Sequence, residues 1–110
     1  MTQRKTLNKG RGAVFQSTRK CERVLQVFSL FSNEKRFKIL CCLREGDFCV
    51  SEIVDRVGGT VSNISQQLKL LTLSGYLSRK RVERSVYYHL NDQRIRALLE
   101  YLYKQYGGDE

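Results

Sequence analysis

The chain has 110 residues, a formal net charge of +9 and four cysteines. That length supports one hydrophobic core and excludes a second. The longest aliphatic run, Ile39 to Leu43, is too short to span a bilayer, and no apolar stretch follows the basic N-terminus as it would in a signal peptide. No membrane association is expected. A reducing, cytoplasmic setting is, with the cysteines as core residues, ligands or redox sensors and not a disulfide framework.

Six of the nine net positive charges lie in residues 1–20, as Arg4, Lys5, Lys9, Arg11, Arg19 and Lys20, with no acid among them. Residues 1–16 are polar and aperiodic. They read as a mobile basic arm, either merely solvated or tracking phosphate. Residues 17–107 read as one domain. Cys21, Val24, Leu25, Phe28 and Phe31 recur at helical spacing and mark one face of a first helix. Ser32 or Asn33 caps a second, with Glu34 in its first turn. In that helix Phe37, Ile39, Leu40, Cys41, Cys42 and Leu43 are apolar nearly all round, which places it centrally. Gly46 ends it.

Asp47 to Val50 is a short extended link, and Ser51 to Val57 a short helix stopped by Gly58 and Gly59. Val61, Ile64, Leu68 and Leu71 give the buried face of a longer helix running to Ser74-Gly75. Two helices around a tight Gly turn form a helix-turn-helix. Tyr76 to Val82 and Val86 to Leu90 form a hairpin around Glu83-Arg84-Ser85. Ile95, Leu98, Leu99, Leu102 and Tyr106 stripe a last helix that starts near Asp92 and ends at Gly107-Gly108.

The helix 61–74 turns Ser62, Asn63, Gln66 and Lys69 outward, with Ser65 beside them. Asn and Gln each make paired hydrogen bonds to an adenine edge in the major groove, while hydroxyls and Lys reach phosphate. An ordinary surface helix has the same pattern. The hairpin decides between them, because Arg79, Lys80, Arg81 and Arg84 repel one another unless an anion lies between them. The fold expected is mainly α with a small β-hairpin wing, and the partner expected is double-stranded DNA.

The segments FSNEKRFKIL, REGDFCVSEI, SNISQQLKLLTLSGYLSRKR and VYYHL, in that order, resemble the ArsR/SmtB winged helix-turn-helix repressors over about residues 20–107. The resemblance implies a homodimer held by the first and last helices on a two-fold symmetric operator, released by a ligand or thiol event. Val24, Phe28, Ile95, Leu99, Leu102 and Tyr106 are the dimer-interface residues it implies. Their apolar stripes also suggest more burial than one small domain provides.

Three kinds of sensor site in that family bear on this chain. Its metalloid and cadmium sensors carry Cys-Val-Cys at the third helix. Here Cys49-Val50-Ser51 keeps one thiol, so no cofactor is expected unless a soft metal binds Cys49 with help from Cys21 or a partner's arm. The zinc sensors' last-helix site is matched by Asp92, but Arg94, Gln105 and Gly108 stand at its other positions. His89 reads as structural. The thiol-switch, HlyU/BigR-like branch places one cysteine in the second helix, matched by Cys41, and another at the position of Gly107. Cys21 is the expected substitute. Cys42 is not, because adjacent helical residues point about 100° apart.

The leading expectation is a transcriptional repressor whose operator affinity changes with cysteine redox or reactive-sulfur chemistry at Cys41, with Cys21 or Cys49. The alternatives are a soft-metal repressor using Cys49 and Cys21, a winged helix making only protein contacts, and a small thiol oxidoreductase. The last lacks any Cys-x-x-Cys or strand-helix-strand pattern, so no enzyme is expected.

Overall fold

The computed structural model describes the backbone from Arg4 to Gly108 and side chains from Thr18 to Gly108. The phosphate contacts expected of Arg4, Lys5, Lys9 and Arg11 lie outside the described side chains. The chain divides into two compact units, residues 1–33 and 34–110. The first contains α1, Arg4–Ser32. Its apolar stripe begins at Cys21, but the helix starts well before it and crosses residue 16, where the sequence suggested the arm ended. No proline interrupts this stretch, and adding a residue to an existing helix costs far less than nucleating one. Val24, Leu25 and Phe28 on α1 are exposed, Phe28 by 64%.

The second unit is built on α2, Glu34–Glu45, whose Ile39, Leu40 and Leu43 have no exposed surface. Its apolar residues go nearly all the way round because other elements cover it on several sides. Next come β1 (Phe48–Cys49), α3 (Val50–Val57), α4 (Val61–Leu73), β2 (Leu77–Val82), β3 (Ser85–Leu90) and α5 (Gln93–Tyr106). Ile53, Ile64, Leu68, Leu71, Leu90 and Leu99 complete the fully buried set. Removing such a side chain from water stabilises by about 1.5–3 kcal/mol, so the core joins α2, α3, α4, β3 and α5.

The link before α3 becomes a strand. Phe48 pairs with Tyr88 and Cys49 with Tyr87, giving an antiparallel sheet in the order β1-β3-β2. Two residues are too few for periodicity to reveal, and the partner strand lies some forty residues on. Val61, expected in the buried face of α4, is 58% exposed. It is the first residue of that helix, beyond the end of the packed stripe.

The turn between α3 and α4 is tightly specified. Gly58 and Gly59 have φ of 82° and 93°, a region that costs an L-residue about 1–2 kcal/mol. Lys35 of α2 reaches across, its Nζ donating to the Val57 carbonyl at 3.4 Å. Thr60 caps α4 by accepting from the Asn63 N–H at 3.1 Å. A methyl group on Gly59 would stand 3.3 Å from Lys35 Cε as well as in the unfavourable φ region. Gly59→Ala is therefore expected to lower stability by at least about 1 kcal/mol. Urea unfolding measures this, and an unchanged midpoint would show the turn to be adaptable.

Candidate functional site

Helix α4 and the β2–β3 hairpin meet along one surface. Ser62, Asn63, Gln66 and Lys69 of α4 are exposed, and Ser65 is half-buried. Arg36 of α2 donates from Nε to Gln67 Oε1 at 3.1 Å, tying the inner side of α4 to the core. Between α4 and the sheet lies a concavity of about 540 Å³ bordered by Ser65, Lys69, Thr72, Leu73, Arg79 and Tyr88. It brings Lys69 from the helix and Arg79 from the wing to one rim.

The wing cations do not all share that rim. Arg79 lies opposite Tyr88 and Lys80 opposite Tyr87, and successive strand residues face opposite sides. Arg79 and Arg81 therefore share one face of the hairpin, while Lys80 shares the other with Val82. The single cluster expected from sequence is split by the pleat. Arg84 stays at the turn, beside Glu83, whose φ is 58°. Glu83 is exposed and places an acid among the wing's cations.

The sensing candidates separate as well. All four cysteines are free thiols. Cys21 is exposed on α1, in the first unit. Cys42 is buried and packs in the core. Cys49 stands at the N-cap of α3, where its backbone N–H donates to Glu52 Oε1 at 3.0 Å and its Sγ lies 3.3 Å from Ser51 Oγ. Ser51, at the position where the metalloid and cadmium sensors carry a second thiol, thus neighbours Cys49. Among the described residues, no group of three or more Cys, His, Asp or Glu side chains is placed to hold a metal ion.

At the last-helix zinc position, Asp92 accepts from the Arg94 and Ile95 N–H groups at 2.9 and 3.2 Å and pairs with Arg94 Nη2 at 2.8 Å. Hydrogen bonds from Arg94 hold its carboxyl below the ordinary range. The acid caps α5, and a cation occupies the place of its co-ligand. His89 has a partner that its spacing in the sequence did not reveal, with Nδ1 2.8 Å from Asp47 Oδ1 on the sheet surface.

Cys41 is half-buried on α2 and faces α5. The Tyr103 side chain approaches its sulfur, where the hydroxyl favours the thiolate. Burial raises the Cys41 thiol above its ordinary pKa and the Tyr103 bond opposes that rise; the same bond raises the Tyr103 phenol. Arg44 lies over the Tyr103 ring, 4.4 Å from its centroid, and reaches Glu100 Oε2 at 3.1 Å. Arg44 Nε is buried without a hydrogen-bond partner, so this contact between α2 and α5 is only partly satisfied. Arg96 of α5 returns the link, donating to the Arg44 and Leu90 carbonyls at 2.8 and 3.0 Å. Sequence reasoning missed Tyr103 and Arg44. Their partners are some sixty residues apart, and neither departs from its helix's pattern.

Of the residues expected at a dimer interface, Ile95 and Leu99 are already buried in the chain's own core and have no surface to offer a partner. They are the inner edge of the α5 stripe, which is wide enough to serve two directions. Leu102 is half-buried, whereas Val24, Phe28 and Tyr106 remain exposed, Tyr106 by 80%.

Residues 33–79 match the family model described as bacterial regulatory protein, arsR family. The chain is 31% identical over 75 residues to the transcriptional activator HlyU of Vibrio cholerae, covering 68% of this chain and 69% of that protein. The reduced HlyU structure superposes with a TM-score of 0.76 at 25% identity, over 83% of this chain and 96% of that one. Against the biofilm growth-associated repressor of Xylella fastidiosa the identity is 27% over 92 residues, 84% of this chain and 81% of that protein. The structure of that organism's repressor BigR gives a TM-score of 0.75 at 26% identity, over 83% of this chain and 93% of that one. A cadmium resistance regulatory protein CadC homolog of Staphylococcus aureus is 31% identical over 78 residues, 70% of this chain and 64% of that protein.

The surroundings of Cys41 make its reactivity testable before any function is assigned. Its alkylation by iodoacetamide, followed by peptide mass mapping, is expected to rise about tenfold per pH unit until pH passes the ordinary cysteine range, since only the thiolate reacts. Tyr103→Phe removes the donor and should slow the reaction at each pH below that. A plateau near neutrality would contradict the burial of this thiol.

Proposed function

Because this chain belongs to the arsR family of bacterial regulatory proteins, a family of DNA-binding transcriptional regulators and not of enzymes, we propose that it is a homodimeric repressor whose hold on a two-fold symmetric operator is set by chemistry at Cys41. The observation that carries the DNA half is the shared rim, where Lys69 of the recognition helix and Arg79 of the wing border one concavity. Ser62, Asn63, Ser65 and Gln66 read or touch the major groove from α4. Lys69, Arg79, Lys80, Arg81 and Arg84 neutralise phosphate, and the basic residues 1–16 extend that contact as an arm beyond the domain at 17–107. Exposed Val24, Phe28 and Tyr106 with half-buried Leu102 supply the apolar surface for a second copy, which would set two recognition helices about one DNA turn, roughly 34–36 Å, apart. Among the described residues no helix is long and apolar enough to cross a membrane.

The thiol half is supported by the placement of Cys41 on α2, the element that also holds α4 through Arg36 and α5 through Arg44. Oxidation or persulfidation of its sulfur disturbs the Tyr103 bond and the contact between α2 and α5. A soft-metal repressor using Cys49 with Cys21 is the second reading, favoured by the likeness to the cadmium resistance protein.

Fluorescence anisotropy on DNA from upstream of the chain's own gene tests both halves. Affinity should fall steeply with salt, and Arg79→Ala, which removes one phosphate contact from each subunit of the dimer, should flatten the slope of log K against log salt by about 2. An organic persulfide should weaken wild-type binding reversibly and leave Cys41→Ser unaffected. A Cys41→Ser protein that still lets go on persulfide would sink the Cys41 switch. Release by cadmium or arsenite, but not by persulfide, would favour the metal reading.

A further inference from the structure

Cys41 has no second thiol suited to it in its own unit. Residues 93–106 of α5 contain no cysteine and residue 107 is glycine. Cys42 is the adjacent helical residue, about 100° away, and Cys49 is engaged at the α3 N-cap with Ser51. Cys21 belongs to the first unit. What Cys41 does face is open space. A cavity of about 550 Å³ is lined by Phe37, Lys38, Cys41, Cys42, Glu45, Arg56, Val57 and Tyr103, well within the range that holds small molecules. Its walls carry two cations, Lys38 and Arg56, against one acid, Glu45. Arg56 is braced over the Phe48 ring, 4.0 Å from its centroid, and only 3.8 Å from Glu45. Lys38 is held by Glu34 at 2.8 Å, outside the cavity lining.

From this geometry we infer that the cavity is a binding site for a carboxylate-bearing, low-molecular-weight disulfide, which forms a mixed disulfide with Cys41. The inference rests on the reading of Cys41 as the responsive thiol and supplies the sulfur partner which that reading lacks. The step balances as thiol–disulfide exchange. Cys41 gives up its proton and its Sγ attacks one sulfur of R–S–S–R. The new Sγ–S bond forms as the old S–S bond breaks, and R–S⁻ leaves and takes up a proton. One disulfide and one thiol stand on each side of the step: the leaving sulfur is reduced to a thiol as the Cys41 sulfur takes its place in the disulfide. The Tyr103 hydroxyl holds negative charge on Cys41 sulfur as the proton departs. Lys38 and Arg56 receive the carboxylates, and Phe37 and Val57 pack against the ligand's stem. Once the adduct forms, the Tyr103 hydroxyl loses its thiol partner and the α2–α5 contact is altered.

Full-length reduced protein is incubated with oxidised glutathione, with the neutral disulfide of mercaptoethanol and with the cationic disulfide cystamine, and adducts are timed by intact mass and located by peptide mapping. Oxidised glutathione should add one equivalent at Cys41, several-fold faster than the neutral disulfide and faster still than cystamine. That order should weaken in Arg56→Gln and, because Arg56 also braces Phe48, in the structurally quieter Lys38→Gln. Equal rates for the three disulfides, or adducts only at Cys21 or Cys49, would overturn the site. Operator binding followed in the same samples separates this from the switch itself. If persulfide releases DNA while Cys41 takes no disulfide, the ligand site is wrong and the switch stands. If Cys41 is fully adducted but operator affinity is unchanged, the site stands and the switch is wrong.

Discussion

The burial of α2 is the constraint on which the second unit depends. With Ile39, Leu40 and Leu43 fully enclosed, the helix cannot shift without opening the core, and interiors packed to that density resist small displacements. Its polar residues then act from a fixed base. Lys35 reaches the end of α3, Arg36 reaches Gln67 in the recognition helix, and Arg44 reaches Tyr103 and Glu100 in α5. Three elements with separate tasks are referenced to one helix.

That arrangement gives a cysteine on α2 particular leverage. Cys41 lies just under one helical turn before Arg44, within the same α2–α5 contact, so any change at its sulfur is felt where α5 is held. The contact is also incompletely satisfied, since Arg44 Nε has no hydrogen-bond partner. A buried donor left unpaired costs about 1–3 kcal/mol. α2 is thus densely packed on the side of Ile39, Leu40 and Leu43 and open to a cavity at Cys41.

The outer surface of α4 and the hairpin follows a different logic. Its side chains are exposed and carry little of the folding energy, so their chemistry is free to suit the partner. The pleat of β2 divides the wing cations between two faces, leaving Arg79 and Arg81 aligned with the recognition helix while Lys80 looks away. Glu83 at the turn adds a negative charge at the tip. The wing's charge is less uniform than its count of cations implies.

Periodicity in the sequence was sufficient to locate α2, α3, α4, the hairpin and α5, because each buries one stripe or one face and the spacing of apolar residues reports that directly. It also predicted the outward set on α4. What it could not determine were features created by pairing across long separations. β1 exists only because β3 lies beside it, and the Cys41–Tyr103 and Arg44–Glu100 contacts join residues some sixty positions apart. The α5 stripe showed that Ile95, Leu99, Leu102 and Tyr106 are apolar together. Only tertiary packing decided that the first two are enclosed while Tyr106 stays exposed, since a helical period fixes the direction of a face and not what comes to cover it.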